Sequence, residues 1–277
     1  MKRRITEIIM KGLMLLSVAT IMMVLLYILY IVARRGLHSL SWEMVTSLPT
    51  GGYYLGKEGG IANAIVGSLM MIVAATLLSL IISLPTALCI NFVMRRNGRL
   101  ARSSRFMFDV LFGIPSIVYG AFGFLLMMWL GVQASLLGGT IAVALLIMPI
   151  MVRAIDEVAI LVPSDLTEAV FSLGATRYEM LKVVVRQLRP GIVSATLLAV
   201  GRGIGDAATV LFTAGYTDSI PVTPYDPAAT LPLAIFFQLS SPIEEVQNRA
   251  YAAALILTAM ILVISFVVRA LARYSRK

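Results

Sequence analysis

Arg202 and Asp206 are the only opposite charges placed well inside an apolar run of this sequence. They occur in Ala199-Val200-Gly201-Arg202-Gly203-Ile204-Gly205-Asp206-Ala207-Ala208, four residues apart. On a helix that spacing puts both on one face. A charge at such a position is costly and persists where it faces a protein interior or an aqueous pathway. A guanidinium is permanently charged, and its planar fork of donors fits phosphate or carboxylate oxygens. Two compatible roles follow. The pair fixes helix packing, or Arg202 faces a pathway used by an oxyanion while Asp206 holds it and tempers its grip. Gly201, Gly203 and Gly205 allow close approach of a helix or backbone.

Other chemistry has little support. Cys89 is the only cysteine and His38 the only histidine. An intrachain disulfide or thiolate metal cluster is therefore impossible. A lone histidine away from cysteines and carboxylates does not suggest a metal site or a catalytic base. Neither catalytic nor metal-ligating residues are expected. No Gly-x-x-x-x-Gly-Lys-Ser/Thr stretch is present to cradle phosphates. If ATP drives this protein, ATP and Mg are held by another subunit, and no cofactor is expected in this chain.

The elements around Arg202 are those of a membrane protein. Of 277 residues, 59% are apolar and 13% charged, against about 25% charged in a soluble domain. Charge-free runs alternate with short basic clusters, and about 20 apolar residues cross a bilayer core. The pattern predicts an all-α fold, one transmembrane domain over 1–277, with six spans at about 13–32, 65–94, 108–130, 136–153, 191–214 and 250–269. Residues 13–32 are followed by Arg34 and Arg35 rather than a small-residue cleavage site, so they read as an uncleaved span. Pro85 is positioned to kink the second span. Residues 110–152 carry no charge. As one helix they would reach roughly 60 Å, about twice the core thickness. The run must fold back, and Gly131-Val132-Gln133-Ala134-Ser135 is the expected turn.

Basic residues orient the spans. With the N-terminus inside, 18 Lys and Arg fall in cytoplasmic segments and 4 (Arg34, Arg35, Lys57, Arg249) outside, with Arg202 in the fifth span. The positive-inside rule then puts both termini in the cytoplasm, in a plasma (inner) membrane. This distribution also accounts for the net charge of +9 without nucleic acid, since no basic, aromatic-interleaved patch accompanies it. The lipid bilayer is the implied surrounding. The outer segments 33–60 and 216–248 are long, and serve as partner-facing surfaces, caps on a pathway or plain connectors.

The cytoplasmic loop 154–190 has a readable internal order. Pro163-Ser164-Asp165-Leu166-Thr167-Glu168 begins a helix, with Asp165 as N-cap and Glu168 three residues on. Gly174 stops it. Thr176-Arg177-Tyr178-Glu179 opens a second helix with a capping pair, and Pro190 limits that helix before the fifth span. Such a loop is a surface hairpin or a docking element for a cytoplasmic protein.

Three places resemble a known family. Glu168-Ala169-Val170, with Gly174 following, is similar to the EAA loop of bacterial ABC importer permeases. The third position is Val170 where the family has Ala, and Arg186-Gln187 stand where it has Leu-Pro. Gly113-Ile114-Pro115-Ser116-Ile117-Val118-Tyr119-Gly120-Ala121-Phe122-Gly123 resembles the third-span signature of the phosphate ABC importer permeases, PstA and PstC. By itself that segment is a Pro- and Gly-interrupted membrane helix, in which Pro115, Ser116, Tyr119 and Gly120 line a pathway or serve packing. Arg202, Asp206 and Leu211-Phe212-Thr213-Ala214 match the same family, with Asp206 where Glu is usual. Thr230-Leu231-Pro232 and a short C-terminal tail favour the PstA type.

The resemblance runs from about residue 63 onward and implies a type I ABC importer permease. It implies a PstC-type permease partner, a PstB-type ATPase dimer and a PstS-type phosphate-binding protein. It further implies that Asp165, Glu168, Ala169 and Gly174 couple to the ATPase, while phosphate passes Arg202 and Asp206. The remaining alternatives are a permease for molybdate, sulfate or phosphonate, an ATP-independent secondary transporter or channel, and an assembly or sensor subunit.

Overall fold

The computed structural model describes residues 2–49, 53, 59–94 and 98–274, with side chains undescribed at 2, 3, 5 and 271–274. Lys57, Arg95, Arg96, Arg276 and Lys277, which enter the orientation argument, lie outside the described residues. The described chain is helical, with no strand among these residues. Among the described residues five helices are long and apolar enough to cross a membrane, or six if a sharply bent pair counts as one span.

The first membrane helix, α1 (Lys2–Ser39), covers 13–32 and continues past it at both ends. Its apolar residues are exposed (Leu15 70%, Met23 71%), as lipid-facing residues are. After the short α2 (Trp42–Thr46), α3 (Ala62–Leu88) continues through Pro85 into a π-helical turn, Cys89–Val93. The Cys89 amide donates to the Pro85 carbonyl. Residues 108–130 do not form one helix. Helix α4 (Arg99–Phe112) and α5 (Ser116–Leu130) meet at 96°. Gly131 ends α5 in the left-handed region at φ 68°, and Ser135 caps the next helix through the Gly138 amide. The expected turn is thus where the chain reverses.

Helix α6 (Leu136–Ile160) is buried along most of its length and extends seven residues beyond 153. After α7 (Ser164–Ser172), α8 (Arg177–Ile204) runs unbroken through Pro190. The expectation that Pro190 separates a loop helix from a span is therefore incorrect. Membrane helices tolerate proline where neighbours re-satisfy the freed backbone groups. Here Gly191 lets Val158 of α6 pack closely beside Pro190. The chain then forms α9 (Ala207–Val210), α10 (Leu231–Leu239) and α11 (Glu244–Tyr274).

The core lies where α3, α6 and α8 meet. Ala75, Val143, Ile147, Met151, Ala195 and Ala199 form its centre, joined by Val210 and Leu233. Small residues recur because apolar area alone does not drive helices together in lipid, whereas close packing does. Helix α1 lies on α11 at the periphery, where Gly36 meets the Tyr251 carbonyl at close range. The segment 216–248 is more than a connector. Its Ala228, Ala229, Leu231, Leu233 and Ala234 are buried. Ser68 of α3 accepts the Leu231 amide at 2.8 Å. The Pro224 and Asp226 carbonyls accept the first amides of α6, each at 2.8 Å.

Candidate functional site

Helix α8 stops at Ile204, and Asp206 begins α9 as its N-cap. The two charges therefore meet across a helix break, not on the face of one helix, and no continuous helix spans 191–214. Glycine ends a helix readily, and an aspartate that accepts a first-turn amide competes with helix continuation. Asp206 Oδ2 accepts the Thr209 amide at 2.9 Å, while Oδ1 accepts Nη1 of Arg202 at 2.8 Å. The pair is asymmetric. The Asp206 side chain is 5% exposed and that of Arg202 47%.

The three glycines divide between two sides. A Cβ on Gly203 would meet Ile147, Ile72 and Val143 within 3.2 Å. At Gly201 and Gly205 it would find nothing within 4 Å. Only Gly203 serves close packing within this chain. Gly201 and Gly205 flank Arg202 on an open face.

The second motif lies against the first. Pro115 caps α5, and the Tyr119 hydroxyl reaches back across the bend to donate to the Leu111 carbonyl at 2.8 Å. Thr209 Oγ1 donates to the Ser116 carbonyl at 3.2 Å. A Cβ on Gly120 would lie 2.8 Å from both the Ala208 and Thr209 carbonyl oxygens. Helix α5 thus sits directly on α9, and each break has backbone groups satisfied by side chains, as an apolar surrounding requires. A cavity of about 20 Å³ lies beside Asp206, lined by Ser68, Gly203, Ile204 and Thr230. It has room for about one water and is too small for a tetrahedral oxyanion. The Thr230 hydroxyl is buried there without a partner. The guanidinium of Arg202 is open to its surroundings on the other side, where Gly201 and Gly205 leave space.

Helix α7 packs through Leu166 and Val170 onto Val162, Met180 and Val184. Asp165, Glu168 and Ala169 point outward. The expected Asp165 capping box is absent. Pro163 occupies the N-cap position, no side-chain bond caps the helix, and Asp165 accepts only the neighbouring Ser164 hydroxyl, at 3.3 Å. The helix begins at Ser164, two residues earlier than a cap at Asp165 would require. Gly174 follows in the left-handed region at φ 78°. The second capping box is formed: Thr176 accepts from the Glu179 amide, and Glu179 accepts from the Thr176 amide at 2.8 Å. The backbone and hydroxyl bonds of Thr176 hold the Glu179 carboxyl below its usual range. Phe171 and Leu173, which did not stand out in the sequence, are 43% and 88% exposed beside Glu168.

One charged cluster escaped the sequence reading. Asp156 is 0% exposed. It accepts Asn91 Nδ2 at 2.7 Å, Arg105 Nε at 3.0 Å and Arg153 Nη1 at 3.0 Å. Arg153 also pairs with Asp109 at 2.7 Å. The cluster ties the π-turn, α4 and α6 together. Arg105 and Arg153 are among the 18 basic residues that the charge distribution assigns to cytoplasmic segments. The available signal was the stripe Val152, Asp156, Ala159, which continues the buried face of α6 beyond residue 153.

Comparison with known proteins agrees with this geometry. Residues 79–277 match the model of the family "Binding-protein-dependent transport system inner membrane component". The chain is 32% identical over 265 residues to a phosphate transport system permease protein PstA of Haemophilus influenzae, covering 94% of this chain and 91% of that one. A PstA of Xylella fastidiosa is 36% identical over 220 residues, covering 78% and 75%. One from Mycobacterium leprae is 34% identical over 243 residues, covering 86% and 79%. A chain of the MetNI methionine ABC transporter, in an inward-facing conformation, superposes with a TM-score of 0.62 at 18% identity, covering 77% of this chain and 95% of that one. The fold is that of a type I ABC importer permease. The chain belongs to the binding-protein-dependent transport system inner membrane component family, in its PstA group.

Proposed function

We propose that this chain is a permease subunit of an ATP-driven importer of inorganic phosphate. Its partners are a PstC-type permease, a PstB-type ATPase dimer that holds ATP and Mg, and a PstS-type phosphate-binding protein. The chain forms one transmembrane domain in a plasma membrane, with both termini cytoplasmic, and performs no covalent chemistry. The names of its relatives support the substrate. One observation carries the role of the site. Arg202 is anchored by a buried Asp206 yet half exposed, on a face where Gly201 and Gly205 leave open space. A donor fork held in this way meets a passing oxyanion with part of its charge already balanced, which favours release as well as capture. Pro115, Ser116, Tyr119 and Gly120 hold the broken α4–α5 unit against α9 and thereby set the position of Asp206.

ATP-driven closure of the ATPase pair acts on α7, where Asp165, Glu168 and Ala169 face outward and Gly174 sets the turn. Because α8 is continuous from Arg177 to Ile204, a push on its first turn travels along a rigid rod to the Arg202 break.

The test is labelled-phosphate uptake into vesicles holding this chain and its partners, with sulfate as competitor. Arg202→Gln is compared with the unaltered protein, with and without ATP. ATP-dependent uptake that ignores sulfate and collapses in the variant is expected. Helix breaks of this kind also serve secondary carriers, so uptake that persists without ATP would refute the ABC assignment. Uptake that sulfate inhibits would indicate another oxyanion.

A further inference from the structure

A second basic site lies apart from Arg202, on the first turns of α8. Lys182, Arg186 and Arg189 are exposed at spacings of four and three, so they form one stripe. None has a carboxylate within 4 Å among the described residues. The acid nearest in sequence, Glu179, is committed to Thr176. Lys182 rests over the Tyr178 ring, 4.5 Å from its centroid. These residues line an open groove of about 590 Å³. Its walls are otherwise apolar, supplied by Leu181 and Val185 of α8 and by Leu88 at the end of α3.

Depth narrows the choice of occupant. Leu88 stands 26 residues along α3 from Ala62, roughly 39 Å at 1.5 Å per residue, just beyond a hydrocarbon core of about 30 Å. Arg189 stands 13 residues before Arg202 on one helix, a separation of roughly 20 Å. Both distances put the groove at the head-group level, on the side where Lys and Arg accumulate. Apolar walls opening into lipid, beneath three cations without a carboxylate partner among the described residues, match a molecule with one anionic end and two hydrocarbon chains.

We propose that the groove between the end of α3 and the start of α8 binds an anionic phospholipid of the inner leaflet, its phosphate on Lys182, Arg186 and Arg189. This goes beyond the transport reading and does not depend on which oxyanion is carried. A seated lipid would brace α8 between its capped first turn and the Arg202 break.

The test uses the full chain assembled with its partner subunits in detergent. Phosphatidylglycerol or phosphatidylcholine is titrated in, and bound lipid is counted by native mass spectrometry. Phosphatidylglycerol should be retained and phosphatidylcholine lost on dilution. Neutralising all three cations (K182Q, R186Q, R189Q) should weaken phosphatidylglycerol on the order of a hundredfold, since each cation near an anionic head group contributes about a fivefold factor. R186K with R189K should keep most of the binding. Should the triple variant fail to fold, R186Q and R189Q singly should each show the smaller step. The proposal is overturned if the folded variants retain phosphatidylglycerol, or if phosphatidylcholine binds equally well. It is also overturned if excess inorganic phosphate displaces the lipid, which would make this a free-anion site. Loss of the ATPase subunit with lipid binding unchanged would make it a protein interface instead.

Discussion

Replacing Asp156 by alanine tests whether the buried charge cluster holds the π-turn, α4 and α6 together. The carboxylate is fully buried and receives charged donors from α4 and from its own helix, plus the Asn91 amide of the π-turn. Removing one side of a buried ion pair typically costs about 3–5 kcal/mol, because the partner charge is left uncompensated. Water reduces that here. Arg105 and Arg153 are 19% and 27% exposed, and Arg153 keeps Asp109 at 2.7 Å. A discounted cost of about 2–4 kcal/mol remains. At about 2–4 °C per kcal/mol for a chain of this size, the melting temperature in detergent should fall by about 4–16 °C. Asp156→Asn keeps the shape and should fall less. A double-mutant cycle with Arg105→Gln isolates the pair and should give a coupling of at least about 1 kcal/mol. A melting temperature within about 2 °C of the unaltered protein, or zero coupling, would refute the reasoning.

Other predictions follow from the same geometry. Gly120→Ala places a methyl 2.8 Å from two backbone carbonyls that cannot swing aside; it should cost about 1–3 kcal/mol and lower uptake. Gly201→Ala meets open space and should leave the isolated chain as stable or up to about 1 kcal/mol more so; equal losses in thermal melts of the two would contradict the assigned faces. Phe171→Ser with Leu173→Ser should change the melt by less than about 0.5 kcal/mol yet reduce co-purification of the ATPase subunit, and unchanged co-purification would remove α7 from the docking surface. The Glu179 carboxyl is held below its usual range by Thr176, so its support of α8 is complete above the ordinary glutamate pKa and lost as pH falls through the lowered value. The protection factor of the first turn of α8, with the intrinsic pH dependence of exchange divided out, should therefore be steady from about pH 7 to 5 and fall below, while Glu179→Gln should show the lower protection throughout.

How much of the site was legible varies residue by residue. Arg202 and Asp206 stood out because charge is rare in apolar runs, and Gly174 and the Thr176–Glu179 box because turn and cap chemistry is local. Asp165 lies two residues past the actual N-cap, Pro163, a shift that turns a cap into an ordinary first-turn acid. Pro190 looks like a boundary in the sequence because proline usually ends helices, whereas the neighbouring Gly191 admits α6 and the helix continues. Asp156 was missed because its partners Asn91 and Arg105 are 65 and 51 residues away in sequence.

The sequence by itself determined that this is a helical membrane protein, where its apolar runs lie, and that a charge pair sits among them. Those properties depend on the free energy of transferring each segment into lipid and on neighbours within a few residues, which the linear order contains. Tertiary structure decided that α4 and α5 meet at 96°, that α8 ends at Ile204, and that Asp206 is buried while Arg202 is half exposed. Each of these rests on contacts between distant segments, such as Thr209 on Ser116 and Gly120 against Ala208. A backbone group freed at a helix break in lipid must find its partner somewhere in the folded chain, and only the packed arrangement specifies where.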